Sequence, residues 1–161
     1  MAEYIIIEGP DGAGKSTLVK SILESHPGTV YGHFGKPESD EEAFGYWEKY
    51  AAFIKEHQDA KLVVLDRSWY SDMVYGPVMR GRIEMTDDHM EMLELLVKAC
   101  GGGIIIYLTA KPDTLWSRCK HRGESYIDTR TTLVRIREKY EEVMKKPRYL
   151  PVIRTDTGVN W

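Results

Sequence analysis

The sequence predicts an α/β fold: a parallel sheet of about five strands with helices on both faces. Three observations carry this. Short β-branched apolar runs recur along the chain, amphipathic helical stretches separate them, and glycine or proline stands at nearly every junction. The 161 residues fit one domain at the usual ~100–200 residues.

Tyr4 to Glu8 is the first such run, broken by Gly9-Pro10-Asp11-Gly12-Ala13-Gly14. An unbroken apolar run suits a strand buried on both faces. From Lys15 the pattern turns helical, with Leu18, Ile22 and Val19 near one face, until Pro27-Gly28. Thr29-Val30-Tyr31 reads as a second strand, followed by the loop His33 to Pro37. Asp40 to about Gln58 is a long helix, its first turn acidic as the helix dipole favours. Lys61 to Leu65 is the next buried strand and ends at Asp66-Arg67-Ser68. A helix is expected from about Ser71, disturbed at Gly76-Pro77. Thr86 to Ala99 is helical and closes at Gly101-Gly102-Gly103. Ile104 to Leu108 is a strand, and Pro112 suits the first turn of a helix reaching about Lys120. A polar stretch through Arg122-Gly123-Glu124 leads to a helix from about Thr129 to Lys146. Leu150 to Ile153 is a weaker final strand.

Charge narrows the classes of partner. Lys and Arg number 22 against 25 Asp and Glu, a net charge of −3, which argues against a nucleic-acid polymer or a polybasic membrane anchor. The start of the chain lacks the basic region of a signal peptide, and no run approaches the ~20 apolar residues of a membrane span. Cys100 and Cys119 form no CxxC pair, and the five histidines show no metal-ligand spacing, so they read as surface residues. A reduced, cytoplasmic setting is expected.

The strongest chemical signal is Gly9-Pro10-Asp11-Gly12-Ala13-Gly14-Lys15-Ser16, followed by Thr17. It satisfies G-x-x-x-x-G-K-[ST] between a buried strand and an amphipathic helix. Glycines let such a loop curl so that backbone N–H groups surround phosphate oxygens, and the helix N-terminus adds partial positive charge there. Lys15 supplies a cation for the β- and γ-phosphates, and the Ser16 hydroxyl suits Mg²⁺. Gly9, Pro10, Gly12, Ala13, Gly14, Lys15, Ser16 and Thr17 are therefore the expected triphosphate site, with ATP and Mg²⁺ as the cofactors.

Three segments together resemble the thymidylate kinase family. Ile7 to Thr17 is similar to its phosphate loop, with an acid at Asp11; Asp66-Arg67-Ser68-Trp69-Tyr70-Ser71-Asp72-Met73-Val74-Tyr75-Gly76 is similar to its Asp-Arg signature; and Leu115 to Glu124 is similar to its helix and basic lid. The resemblance implies a single-domain P-loop kinase fold over residues 1–161, with a short basic lid at about residues 118–128. It implies that Asp11 holds the acceptor's 3′-hydroxyl, although Asp before Gly is also a turn signal. By the same resemblance Arg67 grips the acceptor's phosphate, for which a guanidinium fork is well shaped. Asp66 joins Ser16 as a candidate for Mg²⁺, or forms a strand-end ion pair. Ser71 is a candidate acceptor contact or a helix cap. Tyr75 supports the acceptor or packs in the core. Lys36 stands where the family often carries a phosphate-contacting arginine. Phe44, Tyr46 and Trp47 stack on a base or fill the core.

Some kinases of that family place an arginine in the phosphate loop after the acid, where this chain has Gly12. The stabilising cation must then come from Arg118, Lys120 or Arg122. Arg122 is the first choice as catalytic cation beside Lys15 and Arg67, and Arg118 is assigned to the donor nucleotide. Gly76 offers no side chain where the family frequently reads thymine, so thymidine specificity does not follow.

These readings favour transfer of the ATP γ-phosphoryl to a deoxynucleoside monophosphate such as dTMP. A deoxynucleoside kinase is the alternative, because Asp66-Arg67-Ser68 suits it too and Glu38 or Asp40 offers a base for a 5′-hydroxyl. A GTP-dependent switch fits worse: Ala110-Lys111-Pro112-Asp113 lacks the guanine-reading asparagine. The resembled kinases are commonly homodimers, and the apolar faces of residues 66–80 and 86–99 offer an interface or core.

Overall fold

The computed structural model describes residues 1–123 and 127–158. In chain order the elements are β1 (Glu3–Glu8), α1 (Lys15–Ser25), β2 (Val30–His33), α2 (Asp40–Glu56), β3 (Leu62–Asp66), α3 (Trp69–Tyr75), a π-helical turn (Gly76–Arg80), α4 (Asp87–Cys100), β4 (Gly103–Thr109), α5 (Pro112–Arg122), α6 (Arg130–Val143) and β5 (Val152–Asp156). The strands form one sheet in the order β2-β3-β1-β4-β5, and every neighbouring pair is parallel.

The central strands are covered on both faces. Successive strand residues point to opposite sides, yet Ile6 and Ile7 are both fully buried, as are Val63, Val64 and Leu65. That is why these segments read as continuous apolar runs. The register aligns the strand ends: Ile7 and His33 lie opposite Asp66, Glu8 opposite Tyr107, and Thr109 opposite Asp156. Ligands collect beyond the carboxyl ends of parallel strands, so polar residues finishing these strands share one edge.

Helix starts follow the side chains that satisfy free amides. Ser39 accepts from the Glu42 amide, and the Glu42 carboxylate returns to the amide of Glu38. Thr86 and Thr129 cap α4 and α6 in the same way. The start of α3 differs from the expectation. Ser68, not Ser71, is the cap, accepting from the Tyr70 amide, so the helix begins at Trp69 and Ser71 lies inside it. The expected disturbance at Gly76-Pro77 is the π turn. Proline has no N–H to give the preceding turn, and the Gly81 amide instead reaches back to Gly76 O.

All seven residues of α3 are buried, and the helix packs against α2 and α6. That part of residues 66–80 is therefore core, whereas α4 leaves Met92 and Leu95 substantially exposed. Among the described residues no helix is long and apolar enough to cross a membrane.

Candidate active site

The phosphate loop rests on the end of β4 and against α5. Gly9 has φ 152°, and a Cβ there would lie 2.2 Å from the Leu108 carbonyl oxygen. Gly12 has φ 84°, and its Cβ would meet the Leu115 carbonyl oxygen at 2.7 Å. Both conformations and both close approaches require glycine. Gly14, also left-handed at φ 100°, opens α1, whose first amides have no acceptor within the helix. Lys15 curls back, its Nζ donating to Gly9 O at 2.7 Å and Pro10 O at 3.1 Å. Burial, then the charge of Arg67, presses the Lys15 ammonium down to about 7.

One cleft follows this loop, lined by Asp11 to Ser16 with His33, Asp66, Arg67 and Arg122. A second, of about 250 Å³, is lined by Asp11, His33, Phe34, Gly35, Lys36, Arg67, Ser71, Asp72, Tyr75 and Arg80. Asp11, His33 and Arg67 border both clefts.

Arg67 is the hinge of this corner. Its φ of 69° makes it the non-glycine residue with positive φ among those described, a conformation costing roughly 1–2 kcal/mol for an L-residue. The structure holds it from several sides. Its amide donates to Ile7 O at 3.0 Å, and its guanidinium donates to Asp11 Oδ1 at 2.8 Å and the Tyr140 hydroxyl at 3.2 Å. Tyr75 completes the triangle, its hydroxyl 2.9 Å from Asp11 Oδ1 and its ring 4.9 Å from the guanidinium carbon. Asp11 thus pairs with Arg67, and Asp66 does not.

Beneath Arg67 lies Glu8, the last residue of β1, with no exposed surface. Its oxygens accept from the Ser68 amide at 2.8 Å, the Ser71 hydroxyl at 2.8 Å and the Tyr140 hydroxyl at 3.1 Å. Burial raises its carboxyl to about 7, against the opposing pull of Arg67. Sequence reasoning treated Glu8 only as a strand end. The available signal was a charged residue closing a strand buried on both faces, which must find partners. Ser71 is not the cap, and it lines the second cleft. It binds Glu8 beside Tyr140.

Asp66 accepts from the Tyr31 hydroxyl at 2.9 Å and lies 3.3 Å from His33 Nδ1. With the exposed Ser16 hydroxyl on the same cleft it offers hard oxygen ligands suited to Mg²⁺. His33 is exposed, as expected, and stands where the two clefts join. At the far end of the second cleft Tyr50 donates to Asp72 Oδ2 at 2.5 Å, and burial raises the Asp72 carboxyl to about 8. Arg80 is paired with Glu84 at 2.5 Å, and a Cβ on Gly76 would come within 2.8 Å of the Glu84 side chain. Glu84 therefore occupies the space a larger residue 76 would need.

Of the aromatic candidates on α2, none lines either of these two clefts. Phe44 is exposed, Tyr46 is buried with its hydroxyl on Gly35 O, and Trp47 stacks on His89. Phe34 and Tyr75 are aromatics of the second cleft, Phe34 backed by Tyr50 and Phe53. Arg118 donates to Gly12 O and to Thr157. Lys120 lies over the Trp116 ring. Thr17 is exposed in the first turn of α1. Of the lid expected at about residues 118–128, Glu124, Ser125 and Tyr126 lie outside the described residues.

The family profile for deoxynucleoside kinases matches residues 42–160, most of the chain. The chain belongs to the deoxynucleoside kinase family. This kinase is also 25% identical to the thymidylate kinase of Leptospira interrogans, over 98% of its own length and 87% of that protein's. Among solved structures, YorR protein from Bacillus subtilis, in complex with phosphorylated GDP, aligns with TM-score 0.74 and 28% identity, covering 97% of this chain and 86% of that one. Deoxyadenosine kinase from M. mycoides shares the fold at TM-score 0.63 and 21% identity, covering 98% and 92%. The chain is therefore a phosphotransferase of the P-loop type, similar to thymidylate kinases, that acts on nucleosides or nucleotides.

Proposed function

We propose that this kinase transfers the γ-phosphoryl of ATP to a (deoxy)nucleoside monophosphate. The observation that carries the choice is the charge of the acceptor cleft. Lys36 and Arg67 line it, Arg67 shared with Asp11 at the junction with the phosphate loop, while Arg80 at the far end is paired with Glu84. A phosphate on the acceptor suits those cations; a neutral 5′-hydroxyl does not need them. The carboxylates after β2 that were candidates to deprotonate such a hydroxyl are exposed and absent from the cleft lining. The Glu38 amide turns to Glu42, and Asp40 pairs with Arg82.

In this reading the loop from Gly9 to Thr17 holds the triphosphate through main-chain amides, and Lys15 leaves the loop carbonyls for phosphate oxygens. Ser16 and Asp66 would hold Mg²⁺, which when bound neutralises charge on the β- and γ-phosphates. Arg67 grips the acceptor phosphate and sets its oxygen in line with the γ-phosphorus. That oxygen is already anionic, so positioning and charge neutralisation carry the chemistry. Arg122, beside the phosphate loop, meets the developing charge. Asp11 and Tyr75 border the acceptor's sugar, and Asp72, protonated at neutral pH, offers both a donor and an acceptor to a base edge.

The test is a coupled ADP-release assay with Mg·ATP and a panel of nucleosides and nucleoside monophosphates. Turnover with monophosphates is expected. Turnover with nucleosides alone would overturn the proposal in favour of 5′-hydroxyl phosphorylation.

A further inference from the structure

Thr157 follows β5 and is almost fully buried, 1% exposed, although it lies far from both clefts in sequence. Its hydroxyl donates to Ala13 O at 2.7 Å, with Thr109 O at 3.2 Å, and accepts from Arg118 at 2.8 Å. Its own amide is anchored on Thr109 O at 2.7 Å, and its carbonyl accepts from Arg118 at 2.7 Å. The same guanidinium donates to Gly12 O at 3.0 Å. Two consecutive carbonyls of the phosphate loop are therefore held outward by one threonine and one arginine.

In a trans peptide the C=O and the following N–H point in opposite directions. Fixing Ala13 O on Thr157 thus turns the Gly14 amide to the inner side of the loop, where a phosphate oxygen is received. A loop rich in glycine has little stiffness of its own, so this orientation depends on what grips its outer surface. We infer that Thr157 is a positioning residue for the donor triphosphate, acting through the Ala13–Gly14 peptide and sharing Arg118 with α5. Arg118 belongs to the same clamp, three of its N–H groups donating to the loop and the turn. The clamp also ties the loop to the helix that carries Arg122. This rests on the reading of the loop as the triphosphate site.

The experiment is calorimetric titration of Mg·AMP-PNP, a non-hydrolysable ATP analogue, without any acceptor, into the wild type, Thr157→Val and Thr157→Ser. Valine keeps the volume and removes the hydroxyl, whereas serine keeps the hydroxyl. Thr157→Val is expected to weaken binding by about tenfold, the scale of one lost buried hydrogen bond. Thr157→Ser should stay within about threefold of wild type. In turnover, the valine variant should raise the ATP KM while leaving the acceptor KM in place. Wild-type affinity in Thr157→Val, or equal weakening in Thr157→Ser, would overturn the inference. Arg118→Lys, which replaces the two-nitrogen fork with a single nitrogen, is the second variant should valine prevent folding. It is expected to weaken the analogue to a similar extent, and wild-type affinity there would count against the clamp. A wild type that fails to bind the analogue would instead sink the donor-site reading itself.

Discussion

Glu8→Gln keeps the shape of a wholly buried side chain and removes its ability to ionise. In the wild type burial is the largest influence on this carboxyl and raises its pKa from 4.5 to about 7. A raised acid favours the protonated form in the folded protein. The stability it contributes is complete below the unfolded value and lost as pH climbs through about 7. At ~1.4 kcal/mol for each tenfold change in proton affinity, ionising Glu8 in the fold costs on the order of 3 kcal/mol. Lys15 has the opposite dependence. Its depressed value means that stability is low near neutrality and recovers in alkali. Comparing variants at the same pH removes the parts of the Lys15 and Asp72 titrations that are independent of Glu8; both groups also feel its charge, so the sign of the change is the decisive readout. The assay is urea unfolding of wild type and Glu8→Gln at about pH 4.5 and about pH 8. The stability difference between them should move by about 3 kcal/mol in favour of glutamine at the higher pH. In a domain this size that equals roughly 6–12 °C of melting temperature. A difference that stays constant with pH, or moves the other way, would refute the placement of a raised, solvent-shielded acid under Arg67.

Three further outcomes follow from the same geometry. Arg67→Lys keeps a charge near Asp11 but loses the fork, so the acceptor KM should rise by about ten- to a hundredfold and kcat should fall in steady-state assays. Arg122→Ala should lower kcat by about a hundredfold while the ATP KM changes little; loss confined to ATP affinity would assign it to binding. Gly12→Arg should not supply the missing loop cation. At φ 84°, with the Leu115 carbonyl 2.7 Å from a Cβ, it should destabilise the fold by about 2 kcal/mol or more, read as a lower melting temperature.

Much of the frame was legible because it is local. The phosphate loop, the buried strands and the Asp66-Arg67 corner are contiguous patterns, and each predicts its own backbone. The Pro77 disturbance was legible for the same reason, since a missing amide acts where it stands. What escaped notice depends on contacts across the chain. Glu8 meets partners at Ser68, Ser71 and Tyr140, which no spacing rule connects. Ser68 and Ser71 are equally good caps by composition, and only the buried carboxylate distinguishes them. For Phe44, Tyr46 and Trp47 base stacking and core packing both stayed open, because periodicity fixes a helix face without naming what that face meets. Phe34, in a loop without periodicity, gave no comparable signal.

The far end of the acceptor cleft has a consequence for how such an enzyme diversifies. Asp72, the glycine that makes room for Glu84, and Arg80 all belong to α3 and the π turn that continues it. In the proposed reaction the groups handling phosphate come mainly from the sheet edge and the loop on β1. Selection can therefore rewrite one short contiguous stretch to suit a different nucleobase while the phosphate-handling apparatus is inherited intact.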